Sequence, residues 1–181
     1  MCWIYHYLWR NRKWGEMWRN RKLIYSIWLA KRKLKECGKL APHALKPGLE
    51  INNNTYFKDN VCIAHNLTVL GEGKFVVGSN VHFGHDCLVV TQNHNYETGK
   101  ALPYDATNVL KDVIIGDNVW IGDRVTIVGK VNIGEGAVVQ ANSTVVKDIP
   151  ALSVCGGHPA VPFKYRDKKH YEDLKKKKSF H

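Results

Sequence analysis

Residues 114–150 read IIGDNVWIGDRVTIVGKVNIGEGAVVQANSTVVKDIP, and within them an aliphatic side chain returns at every sixth place: Ile115, Ile121, Ile127, Ile133, Val139 and Val145. A second row, Val113, Val119, Val125 and Val131, runs two residues ahead, and Gly116, Gly122 and Gly134 follow three members of the first. A period of six is neither that of an amphipathic helix nor that of an alternating hairpin. It describes a very short strand and a tight corner, repeated. One such unit has a single apolar row to bury, and it becomes stable when successive coils stack those rows into a continuous core. Three sides of six residues make a triangular coil of eighteen, which sets Ile133 over Ile115, Val139 over Ile121 and Val145 over Ile127.

The same rhythm is legible upstream as Phe57, Ile63 and Val69 and then, after two extra residues, as Val77, Phe83 and Val89. The extra pair belongs to the Gly71 to Lys74 corner. Coils are expected from about Ile51, four of them in all. The rhythm breaks for TQNHNYETGKALPYDATNVLKD, residues 91–112, and resumes at Val113. An excursion from a repeat scaffold is where function concentrates. Beyond Pro150 the pattern fades through Gly156, Gly157 and Pro159 toward a short helix and a basic tail, whose run Lys175 to Lys178 reads as solvated.

The net charge of +11 is unevenly spread: +9 falls on residues 1–40, −3 on 41–161 and +5 on 162–181. Three regions follow: an N-terminal basic segment (1–40), the solenoid (41–161) and a basic tail (162–181). A mildly acidic solenoid lacks the cationic stripe that nucleic-acid recognition requires. Cysteines at 2, 37, 62, 87 and 155 form no CxxC pair and leave one over, so a reducing cytosol fits them, and Cys87 falls in the core-facing phase of the repeat. Residues 1–36 lack proline and read as amphipathic helix in two segments meeting near Gly15, stopped by Cys37 and Gly38. Trp3, Tyr7, Trp14 and Trp18 line one side, and eleven Lys and Arg residues occur by position 40. Such a segment suits either a cap on the first coil or the interface of an anionic membrane. Arg10, Arg12 and Lys13 interrupt any apolar core of a cleavable signal, and no 18-residue apolar run exists, which points to a cytoplasmic chain.

The stretch 114–150, followed by GGHPA at 156–160, resembles the hexapeptide-repeat acyltransferases, above all the branch that O-acetylates sugars and surface polysaccharides. The resemblance spans about Ile51 to Arg166. It implies an all-β solenoid, a left-handed parallel β-helix, the hand coming from the family alone because ordinary crossovers are right-handed. It implies acetyl-CoA as donor, a sugar or glycan hydroxyl as acceptor and a homotrimer with sites between neighbouring solenoids. Acyl transfer from a thioester to a hydroxyl needs a base, and imidazole suits that role near neutral pH. His94, in the sequence Gln-Asn-His-Asn-Tyr-Glu, stands where the family places its catalytic histidine, a short loop before the DNVWIG coil. His85, two residues past Phe83, points outward toward the same cleft, and Asn93 and Glu97 flank His94, so these three are candidate acceptor contacts. Trp120, Gly122, Asp123, Ala141 and Lys147 occupy the region where the family lays acetyl-CoA, and Lys164 and Arg166 are placed to meet its phosphates. No metal is expected, since the spacing of His82, His85, Asp86 and His94 fits no zinc pattern.

The chain departs from the family in three places. Ala64, beside His65 and Asn66, stands where some sugar acetyltransferases have an asparagine, Val128-Gly129 replaces a Pro-Gly corner, and His158 replaces an asparagine in the terminal Gly-Asn-Pro-Ala. Alternative readings are acetylation of an antibiotic or serine hydroxyl, and a non-catalytic scaffold.

Overall fold

In a computed structural model that describes residues 32–38 and 48–181, every buried aliphatic of the six-residue rhythm faces a common axis. Strand β1 (Leu34–Cys37) comes first. The first coil is β2 (Thr55–Phe57), β3 (Cys62–Ile63) and β4 (Thr68–Leu70), and the second is β5 (Phe75–Val77), β6 (His82–Phe83) and β7 (Leu88–Val90). A hairpin of β8 (Gln92–His94) and β9 (Asn108–Leu110) interrupts the stack. The third coil is β10 (Val113–Ile115), β11 (Trp120–Ile121) and β12 (Thr126–Val128). The fourth is β13 (Val131–Ile133), β14 (Val138–Val139) and β15 (Thr144–Val145). After them run β16 (Ser153–Gly156), β17 (Val161–Tyr165) and the helix α1 (Lys168–Lys176). Four complete coils, with β1 before and β16 after, give a parallel stack of about six turns.

The three faces are sheets in the orders β1-β2-β5-β10-β13, β3-β6-β11-β14-β16-β17 and β4-β7-β12-β15. Ile133 pairs with Ile115, Val139 with Ile121 and Val145 with Ile127, the register that the period demands. The two extra residues do lie in the 71–74 corner, since Val69 pairs with Val89 and Phe57 with Val77. Large rings fill the upper axis, where Phe75 stands edge-on to Phe57 and to Phe83 at 6.1 Å each. On these three faces, among the described residues, β17 alone breaks the parallel order, pairing antiparallel with β16 and continuing the second face past residue 161.

Most corners repeat one backbone device. There the third residue after a buried apolar side chain takes positive φ: Asn60, Asn66, Asn80, Asp86, Asn118, Arg124, Lys130 and Asn142 lie between 54° and 58°, Leu152 at 59° and Gly136 at 68°. Asn and Asp tolerate that left-handed conformation because their short polar side chains bond locally. At one corner those amides form a ladder: Asn60 Nδ2 donates to Asn80 Oδ1 at 3.0 Å, and Asn80 Nδ2 to Asn118 Oδ1 at 2.9 Å.

The N-terminal expectation changes where the structure describes it. Arg32 and Lys33 are helical, but residues 34–36, read as helix, and Cys37, read as its stop, form the strand Leu34–Cys37, paired in parallel with β2. The open edge of the first coil supplies the reason, because its unpaired backbone groups are satisfied by another strand, and Gly38 N–H donates to Phe57 O at 2.9 Å. Leu34 packs against the core, so stacking starts before Ile51. The aromatic and basic segment 1–31 lies outside the described residues. Among those described, no helix is long and apolar enough to cross a membrane.

Candidate active site

The excursion is held at its neck before it carries anything. Thr91 is buried, its N–H and hydroxyl both donate to Leu70 O at 2.7 and 2.8 Å, and Lys111 N–H donates to Thr91 O at 2.8 Å. From this neck β8 and β9 run out antiparallel, with His94 opposite Asn108 at the outer end. Two carboxamide and carboxylate turns shape the tip. Asn95 Oδ1 accepts from the N–H and hydroxyl of Thr98, and Asp105 accepts from Lys100 N–H, Thr107 N–H and the Thr107 hydroxyl. The Thr107 hydroxyl and the backbone donors hold the Asp105 carboxyl below its usual range.

His94 is exposed, and the Tyr104 ring lies flat on it, centroids 3.8 Å apart and planes within 5°. The stack covers one face of the imidazole and sets its plane, and the residue as a whole stays exposed. Glu97 is exposed in the turn, and Asn93 is half-buried in β8 opposite Val109. Sequence analysis named Glu97 and Asn93 beside His94 and missed Tyr104, ten residues on. A hairpin returning toward its neck was the only available signal.

A second group forms where the second face turns into the third. One position recurs there on four coils as His65, His85, Asp123 and Ala141. The rings of His65 and His85 stack at 5.5 Å and 15°. Asp123 Oδ1 accepts from His85 N–H at 2.8 Å and lies 3.2 Å from His85 Nδ1, which leaves Nε2 for a ligand. The backbone bond from His85, then the ring bond, hold the Asp123 carboxyl low. Gly84 is required for this approach, since a Cβ there would lie 2.2 Å from Asp123 Oδ1. A Cβ on Gly122 would lie 2.6 Å from Ala141 N, so coil stacking already demands that glycine.

The other residues expected around a donor divide. Trp120 is 60% exposed on the second face, between His82 and Val138, and walls a cavity of about 430 Å³ with Tyr171, Leu174 and Phe180. Arg166 is half-buried in the same wall, donating to Gly136 O at 3.2 Å with its guanidinium 5.0 Å over the Tyr171 ring. Its charge is therefore engaged by α1 docking. Lys147 and Lys164 are exposed, the latter in β17 opposite Val154. His158, unremarked as a contact in the sequence, lies with Nδ1 2.7 Å from the Thr144 hydroxyl. Cys87 is buried as its phase requires, donates to Gly122 O at 3.3 Å, and has its thiol pushed up to about 11 by burial. It is no thiolate at neutral pH.

His94, Asn93 and Glu97 thus occupy the corner between the third and first faces, and His85, Asp123 and Ala141 the corner between the second and third. The hairpin that carries the first group and the coils that carry the second leave the solenoid at different corners.

Residues 112–147 match the family model described as bacterial transferase hexapeptide (six repeats). The galactoside O-acetyltransferase of Lactococcus lactis is 33% identical over 108 residues, covering 60% of this chain and 51% of the relative. The chloramphenicol acetyltransferase of Klebsiella aerogenes is 28% identical over 109 residues, covering 51% and 52%. The chain spans about half the length of these relatives. Among solved structures, a galactoside acetyltransferase in complex with coenzyme A superposes with a TM-score of 0.67 at 25% identity, covering 80% of this chain and 71% of that one. A hexapeptide-repeat acetyltransferase of Vibrio cholerae complexed with acetyl coenzyme A gives 0.66 at 25% identity, covering 87% and 81%.

Proposed function

We propose that this chain, which carries the bacterial transferase hexapeptide and stacks it as a parallel β-helix, is an acetyl-CoA-dependent O-acetyltransferase acting on a sugar hydroxyl, in the making of a surface polysaccharide. The observation that carries the reading is His94, exposed at the end of an excursion hairpin and held flat by Tyr104. The imidazole takes the proton of the acceptor hydroxyl as its oxygen attacks the thioester carbonyl carbon. A backbone N–H stabilises the resulting oxyanion. When the carbon–sulfur bond breaks, the imidazolium returns that proton to the leaving thiolate, giving an acetyl ester and free CoA. Cys87 has no part in this, and transfer is direct.

The two separated corners support a homotrimer in which His94 of one chain faces the Asp123–Ala141 edge of the next. A second reading, transfer to an antibiotic hydroxyl, is favoured by the similarity to chloramphenicol acetyltransferases. Incubation with acetyl-CoA and a panel of galactosides, maltose and chloramphenicol, read by thiol release and product mass, separates the two. His94→Ala is expected to lower turnover by roughly a hundredfold to ten-thousandfold, the usual loss of a general base, with acetyl-CoA affinity kept. Unchanged turnover in that variant would remove His94 from the reaction.

A further inference from the structure

The solenoid body is mildly acidic, yet three of its cations gather in one groove. Lys74, Lys111 and Lys130 line a cavity of about 750 Å³ at the corner between the third and first faces, and Lys35 of β1 joins them. The register explains the gathering. The residues immediately before β2, β5, β10 and β13 are Asn54, Lys74, Asp112 and Lys130, and they stack, because Phe75 N–H donates to Asn54 O, Val113 N–H to Lys74 O and Val131 N–H to Asp112 O. Glu72 and Asp112 are the opposing charges, and Asp112 Oδ1 is already taken by Lys74 N–H at 2.8 Å. Four ammonium groups against two carboxylates leave the groove cationic. Among the described residues none of the four forms an ion pair.

From this placement we infer that the groove is a subsite for an acidic glycan, one carrying carboxylate or phosphate groups along its length. The inference rests on the sugar-acceptor reading above and names the acceptor's charge. Lys74 and Lys130 stand two strand spacings apart, roughly 10 Å along the stack. Charges strung at that interval match an oligomer better than a single compact anion. The floor is mixed, with Tyr56 for a sugar face and the exposed Val109 and Leu110 of the hairpin stalk beside it. That stalk is β9, which pairs with the strand bearing His94, so a glycan in the groove lies alongside the element that carries the base.

Calorimetric titration of the full chain with trigalacturonate, maltotriose and acetyl-CoA tests the site. Trigalacturonate is expected to bind more tightly than neutral maltotriose, and to weaken as salt is added. The double variant Lys74→Glu with Lys130→Asn, the asparagine chosen for the positive φ at that position, is expected to weaken trigalacturonate about tenfold, as losing two exposed ion pairs implies, with acetyl-CoA unchanged. Equal binding of the charged and neutral sugars, or a variant that holds trigalacturonate as well as the native chain, would overturn the inference. So would a loss confined to acetyl-CoA, which assigns the lysines to the donor's phosphates. Because binding is read without turnover, an inactive protein that still binds trigalacturonate counts against the proposed transfer and leaves the groove standing.

Discussion

Asp123 shows how a residue's address and its task can differ. Its place after the DNVWIG coil matches the donor region of the resembled family, yet its Oδ1 receives both the backbone and the ring of His85. The outward face of His85 was legible from its distance to Phe83. Its partner was not, because 38 residues and a hairpin separate the two in sequence. If Asp123 positions His85 against the acceptor, Asp123→Ala and His85→Ala each raise the acceptor KM about threefold to tenfold, and the double variant is no worse than either alone, as coupled neighbours require. Asp123→Asn, which keeps the accepting oxygen, retains more of the native KM than Asp123→Ala. A rise in the acetyl-CoA KM with the acceptor KM unmoved would return Asp123 to the donor site.

Helix α1 is anchored by a network that composition conceals. Asp167 caps its start by accepting from His170 N–H at 2.6 Å. Tyr171 is buried, donating to Glu135 Oε1 at 2.8 Å and accepting from Asn118 Nδ2 at 2.8 Å, while Lys175 reaches the same Glu135 oxygen at 2.6 Å. The lysine run was read as solvated, and Lys175 is the exception, since a helix period brings it beside Tyr171 on the docked face. Burial opposes ionisation of Glu135, but bonds from Lys175, Tyr171 and Asn118 prevail and hold its carboxyl low. Its stabilisation is therefore present above the unfolded value of about 4.3 and is lost as pH falls through the lower folded one. Burial and then Glu135 push the Tyr171 hydroxyl up to about 12. That contribution is complete below about 10 and disappears as pH climbs through the folded value. Tyr171→Phe is expected to cost about 1–2 kcal/mol in urea unfolding, by stranding Asn118 and Glu135, and to flatten the alkaline limb. An unchanged midpoint and limb would show that α1 docks without this bond.

At the scale of the whole molecule, what a period can specify was readable and what depends on packing between distant coils was not. The sixfold recurrence of Ile115 through Val145 gives the coil, its eighteen-residue registry and the core. It gives no hint that Leu34–Cys37 closes the first edge, or that Lys74 and Lys130 come into line across an insertion. Nor does it say how two groups at different corners would meet, which in the proposed trimer takes a neighbour. That arrangement has a consequence that single-chain catalysis does not share. His94→Ala removes the base from one half-site, and Ala141→Trp fills the exposed edge where the other half-site would take the donor, so each variant alone is expected to be inactive. In trimers assembled from equal amounts of both, a site works when its base comes from the Ala141→Trp chain and its donor edge from the His94→Ala chain, which random assembly yields at about a quarter of sites. Co-expression with two different tags, tandem purification and an acetyl-transfer assay measure that recovery. If mixed oligomers form and no activity returns while each single variant stays folded, His94 and the Asp123–Ala141 edge do not meet across a subunit boundary, and the proposed geometry of transfer fails with them.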